Sequence, residues 1–343
     1  MGPSSSDGPI RMRALAANLP TALKDGFESG RELAPPATGS STIVAVGMGG
    51  SGIAAELARG VVESESPVAL SVVRSSDLPH AVDRRSHVIL VSYSGQTWET
   101  LAAYDAAGRV GAHRTVLTSG GQLAERAAED GVPILPVPSG MPPRSAVGHL
   151  LGGILGLLDP WFPESNESRV TRVAERVRAQ IGSFVRSRGP AVALARKVGD
   201  KLPFVYAEST FVGLARRWKT QVEENAKRLA VFDEVPELLH NAIVGWDACP
   251  RAEASRYAVL LLEWPGESPI TRKSLRYLER LVARRGARVA RVPLASEDRL
   301  EALVGGIALG DHVSLALADL RKVDPYPYDA ITRLKVALRD SSE

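Results

Sequence analysis

The chain has 343 residues, 44% of them apolar, and its 42 Lys and Arg against 39 Asp and Glu leave a formal charge of +3. That length accommodates two domains of ordinary size, and the interleaved, nearly balanced charge excludes the basic footprint of a nucleic-acid or membrane-surface binder. The single cysteine, Cys249, excludes an intrachain disulfide and a cysteine zinc cluster, which points to a reducing compartment and an expected cytoplasmic location.

The first residues, Met1 to Pro9, carry no apolar signal-peptide core, and the greasiest stretch, 150–158, is too short and too Gly-rich to span a bilayer. Residues 10–34 mix apolar and charged residues at helical spacing. They predict one or two helices packed on the first domain, ending at Pro35-Pro36. Strands are then expected at 42–46, 68–73, 87–91, 115–118 and 132–137, with helices at 53–59, from 97 onward and at 123–129. The fifth of these strands carries two prolines, which place it at an edge. Strict alternation of strand and helix implies a parallel, doubly wound sheet.

A helix is predicted at 147–158, after which Pro160-Trp161-Phe162-Pro163 breaks the chain. The expected division is an N-terminal domain of residues 1–155 and a C-terminal domain of residues 156–343. Beyond it, helices are expected at 167–187 and 191–199, a strand at 204–207, a helix from about 211 and an apolar run at 241–246. A strand at 257–262, a helix at 271–285, a strand at 288–292 and a long helix at 300–320 follow, with a closing helix at 329–338. The second half therefore reads as a diverged structural repeat of the first.

Two loops follow predicted strands. Ser92-Tyr93-Ser94-Gly95-Gln96-Thr97 offers three hydroxyls, a flexible glycine and the first free N–H groups of a helix. Such a loop can seat a phosphate without lysine or metal, the plainer alternative being a hydroxyl-rich cap. Upstream, Gly47-x-Gly49-x-x-Gly52 satisfies the dinucleotide fingerprint. That fingerprint expects an acid at the end of the second strand, where the sequence has Val73-Arg74-Ser75-Ser76. Arg74 could accept a 2′-phosphate, so an NADP-binding oxidoreductase stays open. Two Gly- and Ser-rich loops meeting at one sheet edge suit a small sugar phosphate better. Gly49 and Gly50 then bring backbone to the sugar and Ser51 adds a hydroxyl.

Five segments occur in order: the Gly47–Gly52 turn, the Ser92–Thr97 loop, Pro143-Arg144, Glu224-Asn225-Ala226-Lys227, and Pro236-Glu237-Leu238-Leu239-His240-Asn241. The set resembles the bifunctional phosphoglucose/phosphomannose isomerase family, a branch of the sugar isomerase (SIS) superfamily. The resemblance implies two SIS domains, each a mainly parallel sheet flanked by helices, and a homodimer. It implies interconversion of glucose 6-phosphate, and of mannose 6-phosphate, with fructose 6-phosphate through a cis-enediol, with no metal or cofactor. Phosphate ligands would be Ser51, Ser92, Ser94 and Thr97. Glu224 matches the family's base, His240 its ring-opening histidine, expected to act across the dimer, and Lys335 its C-terminal lysine. Arg144 would stabilise the enediolate. The chain departs from the family at Asp324-Pro325-Tyr326-Pro327-Tyr328, where two tyrosines replace a small residue, a change that bears on mannose more than on glucose. A non-catalytic sugar-phosphate binder is the alternative from another class; no nucleic-acid or membrane partner is expected.

Overall fold

The computed structural model describes residues 7–33 and 42–340. Two helices lead in, α1 (Gly8–Ala17) and α2 (Leu19–Glu32). The first sheet is threaded as β1 (Thr42–Val46), α3 (Gly49–Glu65), β2 (Leu70–Val73), β3 (Ser86–Val91), α4 (Trp98–Arg109), β4 (His113–Thr118), α5 (Gly121–Glu129) and β5 (Ile134–Pro136). A 3-10 turn, Pro143–Ala146, runs into α6 (Val147–Leu158). The second half begins with α7 (Glu167–Phe184) and α8 (Pro190–Val198), then β6 (Leu202–Glu208), α9 (Val212–Ala226) and β7 (Val231–Val235). After a 3-10 turn at Glu237–His240 come α10 (Ala242–Ala248), α11 (Arg251–Ala254), β8 (Tyr257–Glu263) and α12 (Pro269–Arg285). The chain finishes with β9 (Arg288–Pro293), α13 (Arg299–Arg321) and α14 (Asp329–Asp340).

All strand pairings are parallel. The first sheet has the order β2-β1-β3-β4-β5, and the second the order β7-β6-β8-β9. Counted within each half, both run second-first-third-fourth, so the repeat read from the sequence is present and β5 is the extra strand. β5 does lie at an edge. Its short ladder ends at Pro136, which has no N–H to donate.

The inner strands carry apolar runs because each is covered on both faces. Val44, Val46, Val88 and Leu90 face one helical layer with Tyr104 and Leu123. Ile43, Ala45, Ile89 and Val91 face the other way, into a core that continues through α3, α6 and α9 to Val205 and Ala207 of the second sheet. That shared core fixes the two sheets relative to each other. Among the described residues one helix, α13, is long and apolar enough to cross a membrane, and 94% of its most apolar stretch is buried inside the protein.

Two features differ from expectation. Helix α2 lies against the first half, along α6, and α1 reaches it at Arg144, which contacts Met12. By contrast α1 packs on α13 of the second half, with Met12 and Ala16 on Leu315, partly covered by Tyr326, and Arg13 paired with Asp319. Strand β7 was not anticipated: Val231-Phe232-Asp233-Glu234-Val235 carries two acids and pairs on one side only, so burial never demanded an apolar run.

Candidate active site

In the order β2-β1-β3 the chain leaves β1 in one direction and β3 in the other, so a crevice opens beyond their carboxyl ends. The loops there are the two singled out above. Ser51 Oγ accepts the Tyr93 N–H at 3.3 Å and ties them together. Ser92 Oγ donates to Thr97 Oγ1 at 2.9 Å, and Ser94 Oγ accepts the Gln96 N–H at 3.3 Å. Gly95 sits at φ +62° with the place of a Cβ 1.8 Å from the Gly120 carbonyl oxygen, so no other residue fits that turn. No described side chain caps α3 or α4. Their first-turn N–H groups, with the positive ends of both helix dipoles, stand at this edge.

Tyr93 joins the same edge to the next segment. Its hydroxyl donates to the Pro138 carbonyl and accepts the Met141 N–H, both at 3.1 Å, and burial raises its pKa. The 3-10 turn that follows delivers Arg144. Gly50 abuts it: a Cβ there would meet the Arg144 Cα at 3.4 Å. The Arg144 side chain is 2% exposed. Its Nε donates to Asn225 Oδ1 at 2.9 Å and Nη1 to Glu224 Oε2 at 3.4 Å. Nη2 donates to the carbonyls of Pro325 at 2.5 Å and Tyr326 at 3.1 Å. Burial lowers the pKa of this guanidinium, and Glu224 opposes that shift.

Glu224 occupies the last turn of α9. Its side chain is 28% exposed and meets Arg144 through one oxygen at 3.4 Å. Lys227, just past the helix at φ +53°, donates to the carbonyls of Glu224 and Pro327, each at 2.6 Å. It thereby ties the segment carrying Tyr326 and Tyr328 to the end of α9. Burial lowers the Lys227 pKa, with Arg144 acting in the same direction. Of the two tyrosines, Tyr326 is stacked by Arg11 at 4.6 Å, whereas the Tyr328 ring lies 6.0 Å from the Arg144 guanidinium.

The structure thus brings together Gly49, Gly50, Ser51, Ser92, Ser94, Thr97, Arg144 and Glu224. It does not bring His240 to them within one chain. Helix α9 runs back to the amino edge of the second sheet, where Glu224 sits, and β7 then climbs to the carboxyl edge, beyond which His240 is exposed. Five strand residues alone put about 16 Å between those edges. Lys335 lies on α14, and its side chain is outside the described residues. Arg74, the residue that kept NADP open, is committed to Glu56 and to the Gly52 carbonyl. Sequence reasoning gave no role to Tyr93, Asn225 and Lys227. All three were within quoted motifs, and their contacts come mostly from segments far away in the chain.

Residues 187–338 match the bacterial phospho-glucose isomerase C-terminal SIS domain. The chain is 32% identical over 334 residues to the bifunctional phosphoglucose/phosphomannose isomerase of Caldicellulosiruptor bescii, covering 94% of this chain and 97% of that one. It is 32% identical over 311 residues to the protein of the same name from Aquifex aeolicus, covering 90% and 93%. A hypothetical protein from Thermus thermophilus superposes with a TM-score of 0.75 at 16% identity, over 99% of this chain and 95% of that chain, a likeness of fold. With a third of its residues shared over nearly its whole length, and two SIS sheets carrying the motifs in place, the chain belongs to the bifunctional phosphoglucose/phosphomannose isomerase family.

Proposed function

We propose that the protein interconverts glucose 6-phosphate, and mannose 6-phosphate, with fructose 6-phosphate. The observation that carries this is the approach of Glu224 to Arg144 beside the hydroxyl-rich edge. Proton bookkeeping sorts the hydroxyls. Ser51, Ser94 and Thr97 each accept a hydrogen bond already, which leaves their own protons for a phosphate. Ser92 gives its proton to Thr97 and so orients that donor. With the phosphate seated there, Glu224 takes the proton from C2 of the aldose and returns it to C1, while Arg144 stabilises the negative charge that builds on the enediolate oxygens. Neither step calls for a metal or a cofactor.

Ring opening falls to His240 with Lys335. The exposure of His240, at the far edge of the second sheet from Glu224, supports a homodimer in which the partner's His240 completes each site. The domains divide in the break after α6 at about residue 159, since a boundary at 155 would fall inside that helix. A cytoplasmic location accords with the lone cysteine.

A coupled assay with the three sugar phosphates tests the reading. Glu224→Gln is expected to abolish turnover while an arabinonate phosphate, which mimics the planar enediolate, still binds. A purified wild type that converts none of the three sugars refutes it.

A further inference from the structure

Arg144 is held from behind as well as from the front. Its carbonyl oxygen accepts two hydrogen bonds from Arg217, from Nη1 at 3.3 Å and Nη2 at 3.2 Å. Arg217 lies on α9 and is 1% exposed. A guanidinium so deep requires an anion beside it. Asp311 on α13 provides one, with Oδ2 at 2.7 Å from Nη2. The other oxygen of Asp311 accepts from Gln221 at 2.9 Å. Asn225, which receives the Arg144 Nε, donates in turn to Ser314 at 2.9 Å. Positions 217, 221 and 225 are spaced by one helical turn and share a face of α9, opposite 311 and 314 on α13. The two helices are therefore joined by a buried polar seam that ends at Arg144 and Glu224.

The charges along this seam have an order. Arg144 and Arg217 are both buried, and they have two carboxylates between them, Asp311 and Glu224. Asp311 matches Arg217 inside the seam, and Glu224 has its one long contact with Arg144. Were the Asp311 charge removed, Arg217 would lose its buried counter-ion, and the Arg144 carbonyl would lose its fixed donor. A displacement of about 1 Å in such a group is enough to slow a reaction about a hundredfold.

We infer that Asp311, acting through Arg217, is a positioning residue for the isomerisation: it fixes the backbone of Arg144, whose guanidinium meets Glu224. The inference rests on the isomerase reading above. Asp311→Asn keeps the shape and hydrogen-bonding atoms while losing the charge. It is expected to lower kcat about 10- to 100-fold with KM for fructose 6-phosphate within about threefold of wild type. In an Arg144→Lys background the same change is expected to cost less than about threefold more, because the effect runs through Arg144. A folded Asp311→Asn with wild-type kcat overturns the inference, and so does an undiminished loss in the Arg144→Lys background. If Asp311→Asn yields no soluble protein, Arg217→Lys carries the same two expectations. A wild type inactive on all three sugars overturns the isomerase reading together with this one, whereas an active wild type beside an unaffected Asp311→Asn overturns this one alone.

Discussion

At the residue scale, the proposed phosphate seat and the carboxylate–guanidinium pair have different sources. Ser92, Ser94 and Thr97 could be singled out because all three sit in one short loop whose chemistry is local. Asn225 and Arg217 were not, because their value depends on Arg144, Ser314 and Asp311, and the last of these lies 94 positions from Arg217. No periodicity in a single helix reveals a partner that far along the chain. The same accounting makes Thr97 the sharpest test of the seat. Thr97→Val preserves shape and removes a hydroxyl that already accepts from Ser92 and so must donate outward. One hydrogen bond to a charged group is worth about 1.5–3 kcal/mol. KM for fructose 6-phosphate is accordingly expected to rise about 10- to 100-fold with kcat changed less, as steady-state kinetics would record. An unchanged KM would remove Thr97 from the phosphate seat.

At the element scale, inner strands and amphipathic helices were readable because two-sided burial forces apolar runs and one-sided burial forces helical spacing. Edge strand β7 escaped for want of either pressure. How tightly α2 lies on α6 was also hidden, since glycine carries no hydropathy signal. Close backbone approach there rests on Gly26 and Gly30 of α2 and Gly148, Gly152 and Gly156 of α6. A Cβ on Gly152 would stand 2.1 Å from the Leu23 carbonyl oxygen, and one on Gly156 would stand 2.2 Å from that of Phe27. Both obstacles are backbone and cannot swing aside. Gly152→Val is therefore expected to cost more than about 3 kcal/mol, or to abolish folding. Gly182 in α7 is the control, with no atom within 4 Å of its Cβ position. Gly182→Ala should stabilise by about 0.5–1 kcal/mol through helix propensity. Urea unfolding of the two variants would separate a packing requirement from a general intolerance of change, and equal effects would contradict it.

At the scale of the whole molecule, two buried groups far apart give stability opposite dependences on pH. His87, inside β3, bonds Thr115 Oγ1 through Nε2, and burial pulls its pKa from 6.5 to about 4, with His113 adding to the shift. The unfolded chain then binds the extra proton between those values. Stability from this group is present above pH 6.5 and is lost as pH falls toward 4. Glu267, between β8 and α12, accepts the Trp264 N–H, and burial beside Glu208 and Glu263 lifts its pKa from 4.5 to about 7. Here the folded chain binds the extra proton. Stability from this group is full below pH 4.5 and is lost as pH rises through about 7. The two windows overlap, and each effect is at most about 3 kcal/mol, so they offset each other between about pH 4.5 and 6.5. Each variant should uncover the other's slope. Relative to wild type, Glu267→Gln is expected to gain stability steadily as pH rises from about 5 to 7.5, and His87→Gln to gain it as pH falls from about 6.5 to 4.5. Urea midpoints across that range measure both. If the two difference curves run in the same direction, one of these groups carries the opposite charge state from the one its burial imposes.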